Sequence, residues 1–142
     1  MFDLIQLPLS IYDQRMINSG LINNLKKKGI SVFGRSIFLQ GLFLSNCDWT
    51  NFICKDMYEH HKNLISFVEK NNITLLDAAI GFIQNVSDID AFVVGITCKN
   101  DLVQIIKSYK NIQSLDKKIV KELSKFIWNK DTDLDPRSWK KV

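Results

Sequence analysis

Four side chains capable of metal or redox chemistry lie close together. Cys47, Cys54, His60 and His61 fall within fifteen residues. Thiolates and imidazoles are the usual zinc ligands, but zinc sites pair them at shorter spacings such as Cys-x2-Cys. Here the spacings are Cys-x6-Cys and Cys-x5-His, so the group does not read as a zinc site. Cysteine is as often a small buried hydrophobe. The histidines share a stretch with Lys55, Asp56, Glu59 and Lys62, which predicts a solvated helix face. The chain has no Gly-x-Gly-x-x-Gly fingerprint, no phosphate loop ending in Gly-Lys-Ser/Thr and no serine nucleophile elbow. Trp49, Trp128 and Trp139 are spread apart, as packing anchors rather than a stacking platform.

The elements that must position any site alternate between short apolar runs and helical patterns. Leu4 to Leu7 is a strand candidate cut by Pro8, which cannot donate to a ladder. Ile30 to Phe33 follows Gly29 and is rich in β-branched and aromatic residues. Ala91 to Thr97 is nearly all apolar, the composition of a parallel strand buried on both faces. Between and after them lie helical stripes. Ser19 to Lys28 carries Leu21, Ile22 and Leu25 and stops at Gly29, a C-cap residue. Trp49 to Asn71 carries Phe52, Ile53, Met57, Leu64, Phe67 and Val68. Thr74 to Asn85 opens with a Thr74/Asp77 capping box. Asn100 to Tyr109 carries Leu102, Ile105, Ile106 and Tyr109, and Asp116 to Phe126 carries Ile119, Val120, Leu123 and Phe126. Each stripe is expected to face the core. Strands separated by helices imply parallel βαβ units in an α/β protein. No repeat, low-complexity stretch or linker marks a boundary, so residues 1–142 read as one partial domain.

Composition agrees with a globular chain: 46% hydrophobic and 24% charged residues, with a formal net charge of +4. The basic clusters are Lys26-Lys27-Lys28 and the tail with Arg137, Lys140 and Lys141. The triplet reads as a solvated helix end, where cations complement the dipole. Without interleaved aromatic residues, neither cluster suggests nucleic acid. Three cysteines and no secretory signal argue against a disulfide framework. No run reaches the roughly 18 apolar residues of a membrane span. The expectation is a reduced, soluble, cytoplasmic protein.

Several strings are more specific. Ile5-Gln6-Leu7-Pro8-Leu9-Ser10 with Asp13-Gln14-Arg15 resembles the sixth strand of aldo/keto reductases and the segment after it. Leu25-Lys26-Lys27-Lys28-Gly29-Ile30-Ser31-Val32 is similar to the next helix running into strand seven. Arg35-Ser36-Ile37-Phe38-Leu39-Gln40-Gly41-Leu42 resembles the loop after that strand. Ala78-Ala79-Ile80-Gly81-Phe82 and Ile89-Asp90-Ala91-Phe92-Val93-Val94-Gly95 are similar to the helix leading into strand eight, and Asp135-Pro136-Arg137-Ser138-Trp139 to a family ending. These strings run in family order over nearly the whole chain.

The resemblance implies a (β/α)8 TIM barrel of which this chain supplies the last three βα units and the terminal helix. It also implies a site for NADPH or NADH at the carboxy ends of the strands. Gln6 matches the glutamine that meets the nicotinamide carboxamide. Arg35 replaces an aromatic residue that often stacks on the ring; a guanidinium can stack too, or bind phosphate. Ser36, Leu39, Gln40 and Gly41 match positions that hold the pyrophosphate. Gly95 and Thr97 match the adenosine grip, and Asp101 and Gln104 fall where the adenine or 2′-phosphate is touched. Asp101 departs from the pattern, because a carboxylate repels a phosphate. The family's tyrosine, lysine, aspartate and histidine of the carbonyl-reducing step all belong to earlier strands, so no catalytic residue is carried over.

Three strands of eight leave two open edges and an uncovered apolar face. The chain is therefore expected to fold poorly, to pair with another copy or a separate amino-terminal half, or to be part of a longer reading frame. This leaves two functions. One is an NAD(P)H-dependent oxidoreductase half that needs its partner. The other is a non-catalytic nucleotide-binding or assembly module, or a fragment with no function.

Overall fold

Gly29 adopts a left-handed φ of 74°, and the amide of Ile30 bonds back to the carbonyl of Leu25 at 3.1 Å. This closes one helix and launches a strand. The computed structural model describes residues 2–45, 47–51, 53–112 and 115–140. Phe52 and Lys141, both singled out in the sequence, lie outside them.

Three strands, β1 (Leu4–Pro8), β2 (Ser31–Arg35) and β3 (Ala91–Phe92), form one parallel sheet in the order β1-β2-β3. Leu4 stands opposite Ser31, Gln6 opposite Phe33, and Phe33 opposite Ala91. The helices are α1 (Arg15–Asn18), α2 (Leu21–Lys27), α3 (Lys55–Lys70), α4 (Leu75–Gln84), α5 (Lys99–Asn111), α6 (Lys117–Leu123) and α7 (Asp131–Leu134). Short 3-10 turns cover Leu39–Leu44, Trp49–Asn51, Ser124–Phe126 and Pro136–Ser138. The chain is thus α/β, with helices between parallel strands. Among the described residues no helix is long and apolar enough to cross a membrane.

Side chains alternate between the two faces of a sheet. On one face Leu7 and Val32 are buried with Ile22 and Leu25 of α2. The other face carries Leu4 and Gln6, both exposed, with half-buried Phe33 and Ala91. No helix covers it. The main core lies elsewhere. Leu9, Ile11, Tyr12, Phe43, Trp49, Met57, Leu64, Ile80 and Leu123 pack into one cluster, joining the segments after β1 and β2 to α3, α4 and α6.

Several expected elements change in extent. The helix expected from Ser19 to Lys28 begins only at Leu21, because Gly20 before it has a φ of 70°, and the separate short α1 precedes it. The helix expected from Trp49 begins only at Lys55, after a 3-10 turn and the extended Cys54. Of the strand expected at Ala91 to Thr97, Ala91 and Phe92 form β3; β2 ends at Arg35, and among the described residues β3 has a neighbour on one side only. The expected stripe of α5 faces the core only in part: Ile105 is half-buried and packs against the main cluster. Leu102, Ile106 and Tyr109 stay exposed, and Ser108 is the buried residue of that helix.

His61 also differs from expectation. It falls in line with Met57, Leu64 and Val68 on the buried side of α3, at helical spacing. Its Nδ1 pairs with the Tyr12 hydroxyl at 2.8 Å. His60 is half-buried, its Nε2 2.9 Å from the carbonyl oxygen of Phe126.

Candidate functional site

The loop after β2 is built against conformational preference. Ser36, Leu39 and Gln40 have φ of 59°, 47° and 56°, and Gly41 has 87°. A side chain in the left-handed region costs about 1 kcal/mol or more. Only Gly41 takes it freely. Such departures persist where surrounding packing fixes them, and they concentrate at ligand-binding loops. Here Leu39 is the anchor, since its side chain is buried in the main core. Gln40 Nε2 and Arg35 Nη1 both donate to Ser36 Oγ, at 3.2 and 3.3 Å.

This loop borders a cavity of about 770 Å³. Its first wall is the segment after β1, with Pro8, Leu9, Ser10, Asp13 and Arg15; its second is Arg35, Ser36, Leu39 and Gln40. The third is the carboxy-terminal stretch from Asp131 to Ser138. The Leu9 amide donates to the Arg35 carbonyl at 3.0 Å, which ties the first two walls together. The cavity therefore sits at the carboxy ends of β1 and β2, where parallel sheets place ligands.

Three arginines line it, and two are already paired. Arg15 clasps the buried Asp13 through Nε and Nη2, each at 2.8 Å, and approaches Asp131 at 3.4 Å. Hydrogen bonding to Asp13 raises the Arg15 pKa further. Arg137 clasps Asp135 through Nε and Nη2, and these bonds hold the Asp135 carboxyl down at about 2. Two-point pairing of this kind fixes orientation as well as charge. Arg35 is exposed and has no carboxylate partner among the described residues. It is the cavity cation left available to an anion or a planar ring.

The residues expected to touch a cofactor fall into three places. Arg35, Ser36, Leu39 and Gln40 share the cavity wall, and Gly41 comes directly after them in the same turn. Gln6 is on the uncovered face of β1, in register with Phe33. Gly95, Thr97, Asp101 and Gln104 lie at the start of α5 and do not line this cavity. There the Asp101 carboxylate accepts from the Thr97 amide and hydroxyl and from the Cys98 amide. The Thr97 hydroxyl is the chief cause holding the Asp101 carboxyl below its usual range. The helix start is thus capped by the chain's own carboxylate.

The carboxy-terminal wall depends on Asp133. Its Oδ2 accepts from Cys54 Sγ and Trp128 Nε1, both at 3.1 Å. Lys130 Nζ lies 3.3 Å from Oδ1, and Trp139 Nε1 donates to the Asp133 carbonyl at 2.8 Å. Burial pushes this carboxyl up, but the donated hydrogen bonds more than offset it and hold it low. Burial raises the Cys54 thiol, which disfavours the thiolate form that reacts or binds metal. Among the described residues no group of three or more His, Cys, Asp or Glu is gathered as a metal ion would need.

Sequence reasoning did not assign the Asp13–Arg15 and Asp135–Arg137 pairs to the cavity. Their common signal is Asp-x-Arg, a spacing that lets the guanidinium fold back on the carboxylate. No family model and no curated protein matches this chain.

Proposed function

We propose that this chain is the carboxy-terminal part of an aldo/keto reductase barrel, and that its cavity holds part of a nicotinamide dinucleotide, NADPH or NADH. The observation that carries the reading is the left-handed turn from Ser36 to Gly41, set beside the available Arg35 at the carboxy end of a parallel strand. The Leu39 and Gly41 amides close the turn on the carbonyls of Ser36 and Phe38, each at 2.9 Å, so what the turn offers a phosphate is the hydroxyl of Ser36 and the side-chain amide of Gln40. Arg35 adds charge, or a flat surface for the ring. The uncovered sheet face and the open edges of β1 and β3 support an incomplete barrel.

In this reading the side chains of Arg35, Ser36 and Gln40 bind and orient the nucleotide, and Leu39 and Gly41 shape the turn that carries them. When bound, it supplies a hydride for a carbonyl substrate. Gln6, on the sheet face that would line the barrel, meets the carboxamide. The residues that transfer the proton belong to earlier strands, so this chain alone is expected to bind without turning over. At the α5 start, with Gly95, Thr97, Asp101 and Gln104, a carboxylate already occupies the position a phosphate would seek. NADH is therefore expected to bind at least as well as NADPH.

A non-catalytic nucleotide-binding module would use the same contacts. The continuous core formed without the sheet's open face favours that reading of the isolated chain.

The test is calorimetric titration of NADH and NADPH into the folded chain. Saturable binding that weakens about tenfold or more on Arg35→Ala supports the reading, a loss of about 1.4 kcal/mol. A folded sample that takes up neither nucleotide overturns it.

A further inference from the structure

Helix α5 leaves an apolar stripe in solvent. Leu102, Val103, Ile106 and Tyr109 are 40%, 53%, 45% and 46% exposed. Their spacing places them on one side of the helix. The opposite side is the docked one, where Ser108 is buried and donates to Asp77 at 2.6 Å. Lys99 and Lys110, about three turns apart, lie in line with the stripe at its two ends, and both are exposed. The carboxylate of this helix, Asp101, is engaged by Thr97 and Cys98. The stripe is therefore apolar along its length and cationic at both ends.

It adjoins an open strand edge. The Tyr109 and Phe92 rings lie 6.1 Å apart, and among the described residues β3 pairs only with β2. A cavity of about 440 Å³ between them is lined by Ile89, Ala91, Phe92, Tyr109 and Ile112, among others.

We infer that the α5 stripe and the free edge of β3 form one docking surface for a second polypeptide, apolar along its contact line and acidic at both ends. A second copy of this chain does not fit. Packing two α5 stripes antiparallel sets Lys99 against Lys110 of the other copy, and parallel packing sets like against like; both repel. A lipid surface matches the stripe and its lysines, but it leaves the backbone groups of the β3 edge without partners, which a polypeptide supplies. The surface shares with the nucleotide reading only the incomplete sheet; it does not depend on a bound nucleotide.

The probes are two synthetic peptides of alternating leucine and threonine, able to add as a strand to the β3 edge, flanked by glutamates in one and by lysines in the other. Vesicles containing phosphatidylglycerol and sedimentation of the chain alone complete the set. The acidic peptide is expected to bind at least tenfold tighter than the basic one, and less tightly as salt rises. Ile106→Glu, an exposed change checked for fold by circular dichroism, removes that binding. Joint Lys99→Glu and Lys110→Glu reverses the preference. Equal binding of both peptides, binding of neither, uptake by vesicles alone, or self-association relieved by Ile106→Glu overturns the inference. Ile106→Glu leaves nucleotide titration unchanged, so the two readings fail separately.

Discussion

The imidazole of His61 lies flat against the indole of Trp49, with ring centroids 3.9 Å apart and planes within 20°. Both rings are fully enclosed. Among the described residues neither Trp49 Nε1 nor His61 Nε2 has a hydrogen-bond partner, and a buried polar group without one is costly. Burial is the main reason the His61 pKa falls to about 4, with the charge on His60 adding to it.

Stability is therefore expected to depend on pH through His61. In the unfolded chain this imidazole takes a proton near its ordinary value of about 6.5; in the folded chain it resists until about 4. The unfolded state binds more protons in that window, so stability is full above pH 6.5 and falls as pH drops towards 4. The loss is about 2 kcal/mol between pH 7 and 4.5, on the order of 1.4 kcal/mol per pKa unit. Urea denaturation at both values checks this. His61→Leu flattens the profile; an unchanged slope in that variant would refute the assignment.

Asp133 is expected to be the costliest single carboxylate to remove. Asp133→Ala strands the Cys54 thiol and the Trp128 indole N–H in a half-buried setting, a loss of about 2–3 kcal/mol. Asp133→Asn keeps an acceptor and is expected to cost less. The ordering is read from chemical denaturation midpoints. Limited proteolysis should show cleavage after Phe126 rising in the alanine variant first.

In the turn after β2, glycine is expected to act in opposite directions on stability and on binding. Gln40→Gly relieves a left-handed side-chain residue and should raise stability by up to about 1 kcal/mol. It also removes the amide that contacts Ser36, and nucleotide affinity should fall. Gly41→Ala introduces strain at φ of 87° with no atom nearby for the new methyl to touch, so its cost is backbone strain alone. Thermal melts and nucleotide titration separate the two effects.

Local features were legible in the sequence because neighbours in the chain decide them. The Thr74/Asp77 capping box forms as its spacing implies, and Gly29 ends α2 because only glycine takes that angle cheaply. Contacts that depend on partners distant in sequence were not legible. Asp133 meets Cys54 across 79 positions. His61 is buried although polar residues surround it in sequence, because its side of α3 faces Tyr12 and Trp49. The apolar residues of α5 follow a core-facing pattern, yet while Ile105 packs against the main core, Leu102, Val103 and Ile106 stay exposed. Among the described residues the β-rich run after Phe92 has no strand beside it, and composition cannot supply one. In the site, the loop from Arg35 to Gly41 was found as a string, but its left-handed backbone was not foreseeable from Leu39 and Gln40, which disfavour it.

The cavity draws its walls from residues 8–15, 35–40 and 131–138. Residues 131–138 leave the ribosome after the other two segments. The helices between them can pack as they emerge, but this pocket has no third wall until that stretch arrives. A chain halted before Asp131 would keep its sheet and most of its core and still lack this cavity, so the pocket is completed only by the last of its three segments to be made.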